Sequence, residues 1–110
     1  MSESKRVSAQ VLWKRANPEK YQSALARKRE AARLLVVAYK LEHPCVDCGE
    51  GDPVVLDFDH RDPAQKSRDV SWLVKQPRSL DTILLEIAKC DVRCANCHRR
   101  RTAAQRRGAL

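Results

Sequence analysis

Cys45-Val46-Asp47-Cys48 and Cys94-Ala95-Asn96-Cys97 are two Cys-x-x-Cys pairs, and the segment between them carries Leu56-Asp57-Phe58-Asp59-His60. The second pair runs directly into His98-Arg99-Arg100-Arg101. Each close pair spans two corners of a tetrahedron, so four thiolates so spaced suit zinc, and the connection between the pairs becomes a closed loop. Residues 49–93 exceed the interval of an ordinary zinc ribbon, so zinc is expected to staple a small domain instead of forming one compact finger. Disulfides are the alternative; an odd cysteine count and no signal-peptide pattern ahead of the cysteines weigh against them. Cys90 alternates with polar residues in Cys90-Asp91-Val92-Arg93-Cys94, which suits the apolar face of a short strand. For Cys90, and for His43 just before the first pair, a place in the zinc site is the lesser alternative.

The chain has 110 residues and a net charge of +8. That length makes one modest domain with a helical appendage, and a core of this size gains from a metal. The charge is unevenly spread: residues 1–43 carry +6, residues 44–98 carry −3 and residues 99–110 carry +5. Basic flanks around an acidic centre suit polyanion binding by the flanks and cation binding by the centre, with DNA the obvious polyanion. A merely solvated basic surface is the bland alternative. The longest apolar run, Leu34 to Tyr39, is far too short to span a bilayer, and a cytoplasmic location with no membrane partner is expected.

Asn17-Pro18-Glu19 reads as an N-cap with proline at the first helical position, and no breaker follows until Pro44. One long basic helix results, with Tyr21, Leu25, Ala32, Leu35 and Tyr39 on one face and Arg29, Arg33 and Lys40 on another. Residues from Ser4 to Arg15 form a shorter helix carrying Trp13, or stay disordered until a partner is met. Gly49 to Pro53 make a turn, and Val54 to Phe58 read as a strand that delivers Asp59 and His60 at its end. Residues 61–78 form a polar excursion with an apolar piece from Val70 to Val74, bounded by Pro77. Ser79 caps a helix whose buried side is Leu80, Ile83, Leu84 and Ile87. A second strand around Val92 and a basic helix over 95–107 complete the order.

The chain resembles the HNH endonucleases, in particular the small zinc-containing kind found in bacteriophages. The resemblance rests on Cys45-x-x-Cys48, Leu56-Asp57-Phe58-Asp59-His60 and Cys94-Ala95-Asn96-Cys97-His98-Arg99-Arg100-Arg101-Thr102, and covers residues 44–103. It implies an α+β fold, the ββα-metal or His-Me finger, stapled by a four-cysteine zinc site and preceded by a long N-terminal basic helix. The implied division is a basic helical extension over 1–43, the nuclease domain over 44–107 and a tail at 108–110. His60 matches the family's general base, Asp59 the metal-binding residue before it, and His98 the second ligand of the catalytic metal. Cys45, Cys48, Cys94 and Cys97 match the structural zinc site. The family's middle Asn, which braces the loop holding the base, falls here at Lys89; Asn96 sits within the zinc knuckle, where a turn or cap role fits.

The residue types lead to the same chemistry. Phosphodiester hydrolysis needs an activated water, neutralised phosphate charge and help for the departing oxygen. An imidazole with a near-neutral pKa can take the water's proton, which suits His60. One carboxylate and one imidazole leave most positions of a Mg2+ or other divalent ion free for phosphate and water, which suits Asp59 with His98. Arg99, Arg100 and Arg101 are candidates for phosphate contacts beside the cut, as are Arg29 and Arg33 on the long helix. Three function classes follow: a metal-dependent DNA endonuclease, a junction-resolving endonuclease for branched DNA, and a non-catalytic zinc protein binding DNA or a partner such as a phage packaging complex. No Gly-rich segment precedes Cys94, which disfavours the second; pure binding has no need of Asp59, His60 and His98 together, which disfavours the third.

Overall fold

The computed structural model describes residues 7–76 and 78–108. Its elements, in chain order, are α1 (Ala9–Ala16), α2 (Pro18–Glu42), β1 (Leu56–His60), α3 (Val70–Lys75), α4 (Leu80–Ile87), β2 (Cys90–Cys94) and α5 (Ala95–Arg106). The architecture is mixed: helices surround a small antiparallel sheet of two strands. The part of the expected first helix before Val7, Pro77 and the last two residues of the tail lie outside the described residues.

Local chemistry sets the boundaries. The Ser8 hydroxyl accepts the Val11 amide at 3.2 Å and opens α1. Pro18 starts α2 as expected, but the Asn17 side chain does not cap it; its amide donates to the Trp13 carbonyl at 2.9 Å and closes α1 instead. The strand expected over 54–58 begins two residues later. Asp52 accepts the Val54 amide at 3.0 Å, and with Pro53 behind it the chain makes a 3-10 turn over Pro53–Val55 before extending. Asp57 and Asp59 therefore lie inside β1, and His60 is its last residue.

The register pairs Leu56 with Cys94, Phe58 with Val92 and His60 with Cys90. Alternation along a strand puts those six on one face of the sheet, and Asp57, Asp59, Asp91 and Arg93 on the other. Ala32, Val70, Leu73, Ile83, Ile87 and Cys90 form one buried cluster, and Leu35, Val36, Tyr39 and Phe58 pack against it. A second cluster joins Leu56 and Val92 to Cys45, Cys94 and Cys97, with Tyr39 and Phe58 touching both. The second half of α2 thus contributes side chains to the core that positions the sheet.

Two burial expectations change. On α4, Leu80 and Leu84 are exposed, and Glu86 joins Ile83 and Ile87 on the buried side. Lys40, expected on the basic face of α2, is half-buried over the Phe58 ring at 5.2 Å. Its amine is held below the usual range by burial, against the opposing pull of Asp57. Among the described residues no helix is long and apolar enough to cross a membrane.

Candidate functional site

The four paired cysteines come together from three places: the turn after α2, the last residue of β2, and the first turn of α5. Their sulfurs all lie within 4.8 Å of one another, with Cys48 and Cys94 Sγ 3.6 Å apart. Four sulfurs about 2.3 Å from a tetrahedral ion stand about 3.8 Å from each other, so the cluster fits a metal. The backbone prepares this geometry. The Gly49 amide bonds the Cys45 carbonyl at 2.9 Å with Gly49 at φ 81°, a left-handed turn suited to glycine, and Val46 is tied to the Val92 carbonyl at 2.9 Å. Burial pushes the Cys45 thiol up, but backbone amides of Cys94, Cys48 and Asp47 outweigh it and bring it down to about 6. Cys97 goes the other way, to about 12, through its hydrogen bond with Cys94 and its burial. No disulfide links any of the five cysteines, and Cys90 and His43 stay out of the cluster. Cys90 Sγ faces the Glu86 carbonyl at 3.4 Å, and His43 stacks on Tyr39 with ring centroids 3.8 Å apart.

On the acidic face of β1, α5 delivers His98 between two carboxylates. Its Nδ1 is 3.1 Å from Asp57 Oδ2, and its Nε2 is 3.6 Å from Asp59 Oδ1. When the ring is neutral with its proton on Nδ1, the lone pair sits on Nε2, and His98 and Asp59 then face each other as two acceptors. Asp57, at the other ring nitrogen, is placed to orient the imidazole. Asp59 itself is buried, and its other oxygen accepts Arg93 and Arg101, each at 3.0 Å. These two guanidiniums offset the cost of burying the carboxylate and leave Oδ1 open. A cavity of about 490 Å³ opens beside Asp57 and His98, lined by Val36, Val37, Val70 and Val74 with Arg33, Lys40 and Lys75.

His60 points to the opposite face of β1. Its Nε2 is 2.7 Å from Glu86 Oε2, and only 8% of its side chain is exposed. Nδ1 has no hydrogen-bond partner among the described residues, yet no buried side-chain nitrogen or oxygen there is left unpartnered, so that edge of the ring reaches solvent. The structure thus brings Asp59 and His98 together and leaves His60 one residue further on, at the strand end, turned toward α4.

The arginines divide as well. Arg101 is drawn inward, donating to Asp59 and to the carbonyls of His60 at 3.3 Å and Arg61 at 3.2 Å, so it clamps the end of β1. Arg99 and Arg100 are exposed on α5. On α2, Arg33 is paired with Glu30 and Arg29 donates to the Lys75 carbonyl at 2.9 Å. Three residues of the site were not singled out from the sequence: Asp57, Glu86 and Arg93. The first shares its strand face with Asp59 by simple alternation, and the second lies three residues from Ile83 on the buried stripe of α4, where a carboxylate needs a partner.

No family model, curated protein or solved structure matches this chain.

Proposed function

We propose that this protein is a metal-dependent DNA endonuclease of the HNH type, with β1, β2 and α5 forming a ββα-metal finger and zinc in the four-cysteine site. The observation that carries the reading is His98, held by Asp57 at one ring nitrogen and facing the open oxygen of Asp59 with the other. Asp59 Oδ1 and His98 Nε2 would hold Mg2+ or a similar divalent ion. Bound there, the ion supplies charge neutralisation on the phosphate and on the departing oxygen.

The remaining roles belong to the chain itself. His60 stands at the end of the strand that carries Asp59 but on its opposite face, with Nε2 on Glu86 and Nδ1 open; on this reading Nδ1 takes the proton of the attacking water, which has to reach it around the strand end. Arg101, by tying the carbonyls of His60 and Arg61 to Asp59, keeps base and metal ligand in one frame. Arg99 and Arg100 lie on the exposed side of the same helix, where phosphates can be met without reading bases.

Supercoiled plasmid incubated with the zinc-loaded protein, with and without added Mg2+ or Mn2+, tests the reading. Cutting is expected only with added metal. His60→Ala should lower the single-turnover rate by about 10²-fold or more while zinc content, melting and DNA affinity stay as in the wild type. A folded His60→Ala that cuts at the wild-type rate removes His60 as the base. A wild type that binds DNA but never cuts it moves the protein to the non-catalytic zinc class, with Asp59 as an ion-pair hub for Arg93 and Arg101.

A further inference from the structure

Apart from Asp59, Glu86 is the only buried charged residue among those described. Nothing in the nuclease chemistry above requires it, and a leucine would serve better on the buried side of α4. Its surroundings are those of a built site. Oε2 lies 2.7 Å from His60 Nε2 and accepts the Ser67 amide at 3.1 Å, while Oε1 accepts the Lys89 ammonium at 3.0 Å. Lys89 also donates to the Ser67 hydroxyl at 3.1 Å, and its carbonyl takes the Arg61 amide at 3.1 Å. The carboxylate is thus gripped from α4, from the chain leaving β1 and from the turn into β2.

An ionised carboxylate only accepts hydrogen bonds, so an imidazole nitrogen 2.7 Å away must carry a proton. Burial alone would raise the Glu86 carboxyl, but the bonds from His60, Lys89 and Ser67 overcome it and bring it to about 2, so the acceptor is ionised. We infer that Glu86 is the positioning residue of the site: it fixes the ring of His60 with the proton on Nε2 and the Nδ1 lone pair turned outward, and Lys89 with Ser67 braces it. The role of the exposed lone pair rests on the nuclease reading; the placement of ring and proton does not. Lys89 stands where the resembled family has its bracing Asn, and the ammonium carries out the bracing through Glu86.

Glu86→Gln in the full zinc-loaded chain tests this. The side chain keeps its shape, but its NH2 must face donors: either Lys89, which it repels, or His60 together with the Ser67 amide, where the amide bond is lost and His60 must move its proton to Nδ1. Nitrogen NMR of the His60 ring should find the Nε2–H tautomer in the wild type and a substantial Nδ1–H population in the variant. Single-turnover cutting should fall about 10–100-fold. Added to His60→Ala, the same change should cost less than about twofold, since Glu86 acts only through His60. An unchanged tautomer in folded Glu86→Gln, or an equal loss of rate in the His60→Ala background, overturns the inference. Should Glu86→Gln fail to fold, Glu86→Asp is read in the same spectrum, where the shortened reach should let both tautomers appear and a pure Nε2–H form counts against the inference. A wild type that does not cut DNA ends the nuclease reading, and the nitrogen spectrum still decides the role of Glu86.

Discussion

The two ends of the β1–β2 ladder solve the same problem in opposite ways. Where Leu56 meets Cys94, four sulfurs crowd within 4.8 Å; backbone amides bring Cys45 down to about 6, while the neighbouring Cys94 and burial push Cys97 up to about 12. Where His60 meets Cys90, each buried charge has its counter-group: Glu86 has Lys89 and Asp59 has Arg93 and Arg101. The first end could be closed by a cation from outside; the second is closed by the chain's own charges. A two-stranded sheet is marginal by itself, so both ends are needed to hold it, and they should fail under different treatments.

The largest effect should come from taking metal away. In small domains the binding free energy of a structural zinc is about 10–16 kcal/mol and is in effect folding free energy. Chelation, or Cys94→Ser, should abolish the cooperative melt and the helical circular dichroism together, and metal analysis of the native protein should find one tightly bound zinc. A chelated protein with an unchanged melt would make the sulfur end as self-sufficient as the other.

Acid should act on the other end. The Glu86 carboxyl is depressed from 4.5 to about 2, so its contribution is fully present above about pH 4.5 and is lost as the pH falls through about 2. The shift corresponds to about 3 kcal/mol at neutral pH. Because zinc thiolates also protonate in acid, the informative quantity is the difference between wild type and Glu86→Gln at each pH. That difference should be largest near neutrality and shrink steadily below about pH 4.5. A difference independent of pH would mean that the carboxylate charge at this end contributes nothing to stability.

The sulfur end was legible in the sequence because ligand spacing survives any detail of folding: two Cys-x-x-Cys pairs demand proximity whatever lies between. The helix over 18–42 was legible for a similar reason, since Pro18 and Pro44 bound it and the stripe from Leu25 to Tyr39 has only one face to bury. The charged end was only half legible. Asp59 and His98 could be named from the chemistry they share, but their orienting partners could not, because Asp57 reads as strand polarity and Glu86 as a solvent residue between Leu85 and Ile87. The start of β1 slipped by two residues because the Asp52 side chain, not β-propensity, decides where the chain extends. Side-chain capping of this kind leaves little trace in apolar periodicity.

The two imidazoles, one toward each end of the ladder, each lean on a carboxylate, and the partner of His98 is the easier to remove. Asp57 is half-exposed, so Asp57→Asn should retain fold, zinc and melting, and on the proposed reading the Mg2+ needed for half-maximal cutting should rise about 10–100-fold. On the proposed reading Asp59→Ala and His98→Ala should raise the metal requirement further, since they would remove ligands instead of an orienting group. An unshifted metal titration in Asp57→Asn would sever the link between the His98 ring and the cation, and with it the resemblance between the two faces of β1.

The smallest effects should separate the two basic helices. Both α2 and α5 carry exposed arginine pairs, but those of α2 are already engaged: Arg33 with Glu30, and Arg29 with the Lys75 carbonyl. A guanidinium that must first leave a partner gains less from a phosphate than one facing water. Arg99 and Arg100 have no ion pair among the described residues, and Arg99 lies against the same hollow as Asp57, His98 and Thr102. Neutralising Arg99 and Arg100 together should therefore weaken DNA binding and reduce the salt slope by about 0.9 for each phosphate no longer neutralised. The same double change at Arg29 and Arg33 should alter the slope by less than half as much. Equal changes in slope would place DNA along both helices, with the Glu30 pairing broken in the complex; no change in either would return all four arginines to a solvated surface and leave the path of the DNA across the acidic face to be set by the metal alone.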